Sequence, residues 1–272
     1  MKEITVIKPL NKLKIIDFQE IYRYKDLLLT LVLRDIKVRY KQTIIGGMWA
    51  ILQPLFTMVV FTIFFGKIAK IYSEGIPYAI FSYSGLVLWT YFSSSLGNAS
   101  NSLISDKDLI SKVFFPRIII PLSKTLIGLL DYFIALVIVF VLMVYFKFIP
   151  SFKLFLVPII VFLTWLLVTG LGFWLSAFNV KYRDVRYAVP FFIRMILFLT
   201  PVIYPVSIAG KYSWLLYLNP MSGLIEAHRV ALLSHQNINW GLLGSSVFLT
   251  LVIFILGNLY FKSVEKYFAD VI

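Results

Sequence analysis

The 272-residue sequence contains no cysteine. Disulfides, thiolate metal sites and cysteine nucleophiles are therefore excluded, and redox compartment is left open. Charge is scarce as well: 14% of residues are charged, against roughly 25% in a soluble domain. Only 13 are acidic, against 26 Lys and Arg. The 2 histidines, His228 and His235, form no H-E-x-x-H pair, and they read as ordinary interfacial residues. No G-x-x-x-x-G-K-[ST] loop occurs, so nucleotide phosphates are not cradled by that route. Asp106-Lys107-Asp108 has the D-x-D spacing of some metal-dependent sugar-transfer sites. Two carboxylates two positions apart on a helix point to different faces, so no metal site is expected. Residues 1–26 are charged throughout and do not read as a signal peptide.

What is abundant is apolar surface. Hydrophobic residues make up 60% of the chain, aromatics 17%, and the mean hydropathy is +0.87. A chain of this length cannot enclose so much apolar surface by itself, so its solvent must be largely lipid. The expected fold is an all-α integral membrane protein in a single membrane domain, 1–272. A helix needs about 20 apolar residues to cross the hydrocarbon. Six runs qualify: 48–66, 77–103, 121–146, 154–178, 187–205 and 241–261. The second is the least apolar and the fifth the shortest. A further stretch, Trp214 to Leu233, is broken by Asn219-Pro220 and carries Glu226, His228 and Arg229. It reads as two short pieces that dip into the membrane or lie on it.

Basic residues decide orientation. Counted over alternate connections, Lys and Arg number twenty on one side and six on the other. Positive charge is retained in the cytoplasm, which places both termini inside. The net charge of +13 is thus mainly a topology signal, and its division among loops argues against a nucleic-acid partner.

Ahead of the first span, residues 20–41 read as an amphipathic interfacial helix. Arg23, Thr30, Arg34, Lys37 and Lys41 share one side, and Leu29, Val32, Leu33, Ile36 and Tyr40 share another. Asp35 and Arg39 stand at i, i+4 spacing. In the first span, Trp49, Gln53, Phe56 and Val60 form one aromatic and amide stripe, and Pro54 should kink the helix. The second span ends in "YFSSSLGNASNS" (91–102), where Tyr91, Ser95 and Asn98 share a face. Such residues pack helices closely or line a wet path. Asp131 reads as an internal hydrogen-bond or ion-pair partner within the third span, and Arg194 as an arginine about two turns inside the fifth. Snorkelling toward the near face and a water-facing role both fit Arg194. Prolines at 201 and 205 stop that span abruptly.

Several stretches together carry a resemblance: "RDIKVRYKQTIIGGMWAILQPL" (34–55), "SGLVLWTYF" (84–92), "SKVFFPRIIIP" (111–121), "NVKYRDVRYAVPF" (179–191), "TPVIYP" (200–205) and "LNPMSGLIEAHR" (218–229). In this order and spacing they resemble the polysaccharide-export permeases of ABC transporters, the family of Wzm-like O-antigen, capsule and teichoic-acid permeases. The resemblance implies a homodimer of six-span subunits in the bacterial inner membrane, joined to two copies of a cytoplasmic ABC ATPase. ATP and Mg would then be bound by that partner and no cofactor by this chain. The cargo implied is an undecaprenyl-diphosphate-linked glycan.

The resemblance, taken together with these residue patterns, leads to expected roles. A helix at 105–115 would dock on the ATPase, using Asp106, Lys107, Asp108, Leu109, Lys112 and Val113. Arg23, Arg34, Lys37, Arg39 and Lys41 would meet the lipid diphosphate at the interface. Trp49, Gln53, Phe56, Tyr91, Ser95, Asn98 and Arg194 would line the channel. A re-entrant external gate between spans 5 and 6 (206–235) would use Pro201, Tyr204, Pro205, Asn219, Pro220, Glu226 and Arg229. The family pattern has glutamine where Arg194 stands. Three rivals stay open at this point. One is a permease for teichoic acid, capsule, a lipid or a drug. Another is a membrane enzyme of lipid-linked glycan assembly using Asp106, Asp108 and Asp184. The third is a proton-driven flippase using Asp131.

Overall fold

The computed structural model describes residues 18–41, 48–182, 184–234, 236–265 and 268, and among them every regular element is helical. The chain begins with a short helix α1 (Phe18–Arg23) and α2 (Lys25–Lys41). Next come α3 (Trp49–Phe61), continued by a π-helical segment over Thr62–Ile68, then α4 (Tyr78–Ser105), α5 (Lys107–Lys112) and α6 (Ile119–Tyr145). After a 3-10 turn at Phe152–Leu156 follow α7 (Val157–Lys181) and α8 (Val185–Leu199). A second 3-10 turn at Val206–Tyr212 leads to α9 (Ser213–Leu218), α10 (Pro220–Leu233) and α11 (Trp240–Val264).

Four of these elements are long and apolar enough to cross a membrane: Trp49–Ile68, Ile119–Tyr145, Phe152–Lys181 and Trp240–Val264. The two runs expected to be weakest fall short for different reasons. α4 has 28 residues, ample length, but its serines and asparagines dilute its hydropathy. α8 has 15 residues, a rise of only about 23 Å, and it ends at Leu199 rather than at 205. Thr200 is already extended and Pro201 cannot continue the ladder.

α4 is the central helix. It packs along α6 and α7, and α7 packs along α11. In lipid there is little hydrophobic drive to join helices, so small residues that allow close approach decide where they meet. A Cβ at Gly257 would lie 2.1 Å from the Gly170 carbonyl oxygen, and one at Gly170 would lie 2.6 Å from the Phe254 Cα. The α7–α11 contact therefore requires both glycines. α3 and α8 lie at the periphery, each with a single buried residue, Pro54 and Val189.

The stretch after α8 is split at Asn219-Pro220, as its sequence suggested. Asn219 caps α10 by accepting from the Met221 amide at 3.0 Å, and Pro220 occupies the first turn, where no amide is needed. The burial of α10 differs from expectation. Every residue from Met221 to Leu233 is buried, against α4, α7 and α11. α10 is a core element of the subunit rather than a piece lying on a surface.

Candidate functional site

Two polar clusters stand out in this apolar chain, one at each end of α4. The first joins α2 to the end of α4 and the start of α6. Arg34 Nη2 donates to Asp106 Oδ1 at 2.8 Å, and its Nε donates to Asp35 Oδ1 at 2.8 Å. Lys124 Nζ bridges Asp35 Oδ2 at 2.5 Å and Asp106 Oδ2 at 2.8 Å. Arg39 pairs with Asp131, and the Tyr40 hydroxyl donates to Asp131 Oδ1 at 2.5 Å. Three carboxylates thus meet three cations. Burial alone would raise the Asp106 carboxyl, yet Lys124 and Arg34 together hold it below its usual range. Asp131 is an ion-pair partner, as its sequence position suggested, and its cation, Arg39, comes from α2.

This arrangement corrects several sequence expectations. Asp35 and Arg39 do not pair with each other, because tertiary partners outcompete the exposed i, i+4 contact. Arg34 and Arg39 are engaged by carboxylates, which leaves them poorly placed to hold a lipid diphosphate. Arg23, Lys37 and Lys41 are exposed. Asp106 is a half-buried tie rather than a docking residue. It directly precedes α5, which covers only Lys107–Lys112 within the expected 105–115. On α5 and just beyond it, Lys107, Asp108, Lys112 and Val113 are exposed, Leu109 is half-buried and Ile110 is buried. Phe114, which sequence reasoning did not single out, is 92% exposed. Only the fold reveals this, because the adjacent Phe115 is buried.

The expected channel residues divide. Trp49, Gln53, Phe56 and Val60 are all exposed along one side of α3, and Arg194 is exposed on α8 beside Phe191 and Phe198. Asn98 is also exposed. Tyr91 and Ser95 are not: both are 1% exposed and face α6, where Tyr91 donates to the Thr125 carbonyl at 3.4 Å. Gly128 opens the space they fill, since a Cβ there would lie 1.9 Å from Ser95 Oγ. These two residues pack helices and do not line a lumen within this subunit.

The second cluster lies at the opposite end of α4 and accounts for the turn after α8. Pro201 and Pro205 are buried there and Tyr204 is half-buried. Backbone groups freed by the prolines must find other partners, and side chains supply them. Arg229, fully buried, donates through Nη2 to the carbonyls of Pro201 at 2.7 Å and Val202 at 3.3 Å. Its Nε reaches the Phe81 carbonyl at 3.3 Å, its Nη1 reaches Glu226 at 3.1 Å, and its guanidinium lies 3.8 Å from the centre of the Phe81 ring. The Tyr78 hydroxyl donates to the Ile203 carbonyl at 2.7 Å, and Asn219 Nδ2 donates to Thr200 Oγ1 at 2.8 Å. The Glu226–Arg229 pair at i, i+3 is therefore a brace inside the core, not a gate surface.

His228 is likewise no interfacial residue. It is fully buried between the Ser84 carbonyl, 3.0 Å from Nδ1, and the Tyr132 hydroxyl, 2.8 Å from Nε2. A carbonyl only accepts, so Nδ1 carries the proton and Nε2 accepts from tyrosine, which keeps the ring neutral. Among the described residues, no group of three or more His, Cys, Asp and Glu is placed to hold a metal ion.

A bundle that is helical throughout its described residues, with four helices long and apolar enough to cross a membrane, defines a class: a multi-pass membrane protein. The chain belongs to the ABC-2 type transporter family, which it matches over residues 26–233. It is 30% identical over 222 residues to the O-antigen export system permease protein RfbA of Myxococcus xanthus, covering 80% of this chain and 84% of that one. It is 27% identical over 249 residues to an O-antigen export system permease protein RfbA of Klebsiella pneumoniae, covering 91% and 95%. It is 24% identical over 212 residues to the polysialic acid transport protein KpsM of Escherichia coli, covering 75% and 80%.

Proposed function

We propose that the chain is the channel-forming permease of an ATP-driven exporter that moves a lipid-linked, O-antigen-like polysaccharide across the bacterial inner membrane. Membership of the ABC-2 family, with O-antigen export permeases aligning over most of their length, carries this reading. ATP and Mg belong to a separate ATPase, in keeping with the missing nucleotide loop. In this reading the subunit has six spans, α4 and α8 completing the four long apolar ones, with both termini cytoplasmic.

The same reading makes the transporter a homodimer with two ATPase copies. α3 and α8 support this: each buries one residue in the subunit while exposing aromatics, with Gln53 on α3 and Arg194 on α8. An amide and a guanidinium facing pure hydrocarbon would be costly, whereas facing a second subunit and a wet conduit they are solvated. Trp49 and Phe56 then offer flat faces along which sugar rings slide without one deep trap. The cargo is an undecaprenyl-diphosphate-linked glycan. With α10 committed to the core, an external gate is left to the 206–218 segment.

Deleting the gene tests the reading: lipid-linked glycan should accumulate on the cytoplasmic side and disappear from the cell surface, and the intact permease supplied with its ATPase should restore it. Normal surface glycan in the deletion strain would refute it.

A further inference from the structure

The tie between α2, α4 and α6 borders a cavity of about 320 Å³. Six of its seven lining residues are polar or charged, in a chain that is 60% hydrophobic: Asp35, Arg39, Asn98, Asn101, Ser105 and Lys124, with Ile127 the one aliphatic residue, and the stems of these side chains leave much of the wall carbon. We propose that this cavity binds a neutral sugar ring, read chiefly by the Asn98 side-chain amide. The proposal rests on the glycan-export reading and names the part of the cargo that the permease itself recognises.

Charge balance selects the ligand class. Arg39 and Lys124 look at first like an anion site. Each already holds a carboxylate: Arg39 pairs with Asp131, and Lys124 spans Asp35 and Asp106. An incoming phosphate would have to displace a carboxylate and strand it in a half-buried setting, which is unfavourable. A cation would meet Arg39 and Lys124 at the wall. A neutral ligand with hydroxyl donors and acceptors disturbs none of these pairs and hydrogen-bonds to their outer lone pairs and protons.

The polar groups divide into fixed walls and an open reader. Asn101 is committed to structure, donating from Nδ2 to the Gly97 carbonyl at 3.0 Å and accepting at Oδ1 from Asn179 at 3.0 Å. Asn179 also donates to the Ser100 carbonyl at 2.9 Å, which locks α7 to α4 behind the cavity. Ser105 donates to the Ser102 carbonyl at 3.0 Å, so toward the cavity it offers an acceptor. Asn98 is exposed one turn from Asn101 and presents a whole amide, two donors and an acceptor oxygen. Beside it, Gly97 has open space where a side chain would stand. A planar amide next to a carboxylate and a cation matches adjacent sugar hydroxyls, and Ile127 can meet the C–H face of a ring. The volume lies at the low end of pockets that hold small molecules, enough for a short saccharide but not for a polymer. The cavity sits where the interfacial helix meets the bundle, beside the level at which a lipid-linked glycan would enter.

The absence of cysteine provides the test. Ser105→Cys, in the full transporter with its ATPase in lipid nanodiscs, places one thiol on the cavity wall for a water-soluble maleimide. The probes are methyl glycosides of common hexoses and N-acetylhexosamines, and inorganic pyrophosphate at matched ionic strength. A bound sugar should slow labelling by 1 + [L]/Kd, about threefold at twice the dissociation constant. Asn98→Ala should remove that protection without changing the rate measured in the absence of sugar. Gly97→Cys gives a second reporter should Ser105→Cys disturb α4. Protection by pyrophosphate but by no glycoside would make this an anion site and overturn the proposal. Equal labelling under all conditions would make it a solvent-filled crevice and overturn it too. Either failure, in a strain whose surface glycan depends on this chain, rejects the sugar site while leaving the export reading standing.

Discussion

Replacing Arg229 with methionine should destabilise the subunit more than replacing Arg229 and Glu226 together. The guanidinium is fully buried, binds three backbone carbonyls and Glu226, and stacks on Phe81. The single substitution leaves the Glu226 carboxylate buried without its cation, and breaking such a pair costs about 3–5 kcal/mol. At about 2–4 °C per kcal/mol for a chain of this size, the midpoint should fall by roughly 10 °C. In Arg229→Met/Glu226→Met the stranded Glu226 carboxylate is removed as well, so the part of the loss that it caused should return. The recovery should be incomplete, because the carbonyls of Pro201, Val202 and Phe81 still lack a donor, at about 1–3 kcal/mol for each acceptor stranded out of water. The assay heats detergent-solubilised permease and measures the fraction that stays monodisperse on size exclusion. A single-mutant loss under about 2 °C, or a double mutant no more stable than the single, would refute the view that Arg229 is the pin of the α8–α10 turn.

Four further outcomes follow from the same geometry. Replacing Leu109 and Val113 with Asp should abolish export while the permease still inserts, since Leu109 stands on the short helix that would dock on the ATPase and Val113 directly follows it; normal export from the double mutant would reject that docking surface. Single cysteines at Trp49, Gln53 and Phe56 should react with water-soluble thiol reagents when the transporter opens, and labelling by lipid-soluble reagents alone would assign the α3 stripe to lipid. The Asp106 carboxyl is held below the usual range, so its contribution to the α2 tie is complete above about pH 4 and is lost only as pH falls through the lowered pKa; the distance between spin labels at Lys37→Cys and Lys112→Cys should therefore be constant from about pH 8 to pH 5 and should broaden in Asp106→Asn, whereas an unchanged distribution would show that α2 is held by other contacts. Gly257→Ala puts a methyl 2.1 Å from the Gly170 carbonyl oxygen and should cost about 1–3 kcal/mol through forced separation of α7 and α11, visible as a lower midpoint in the same heating assay.

The sequence alone determined the solvent and much of the topology. Hydropathy read over windows of about 20 residues depends only on neighbours along the chain, so the first, third, fourth and sixth spans appear close to their structural limits. The break at Asn219-Pro220 and the stop at Pro201 were legible for a similar reason: missing amides act within a turn or two. The family motifs were also local, and they led to the polysaccharide-export reading.

Partner choice was decided only by the tertiary structure. Asp35 and Arg39 look like partners at i, i+4, yet Asp35 binds Lys124 and Arg39 binds Asp131, 92 residues away. Tyr91, Ser95 and Asn98 share a helical face in sequence, but a helix face turns toward whichever neighbour lies there. α6, with Gly128 opposite, takes the first two and leaves Asn98 outside. His228 read as interfacial and Arg229 as part of an external gate because polar residues usually seek water. The fold buries both: Arg229 meets the Pro201 and Val202 carbonyls in the turn after α8, and His228 sits between the Ser84 carbonyl and the Tyr132 hydroxyl. Short-range pattern fixes which residues form helices and where those helices meet lipid. Which polar groups are sealed inside depends on carbonyls and carboxylates far away in sequence, and only the folded chain brings them together.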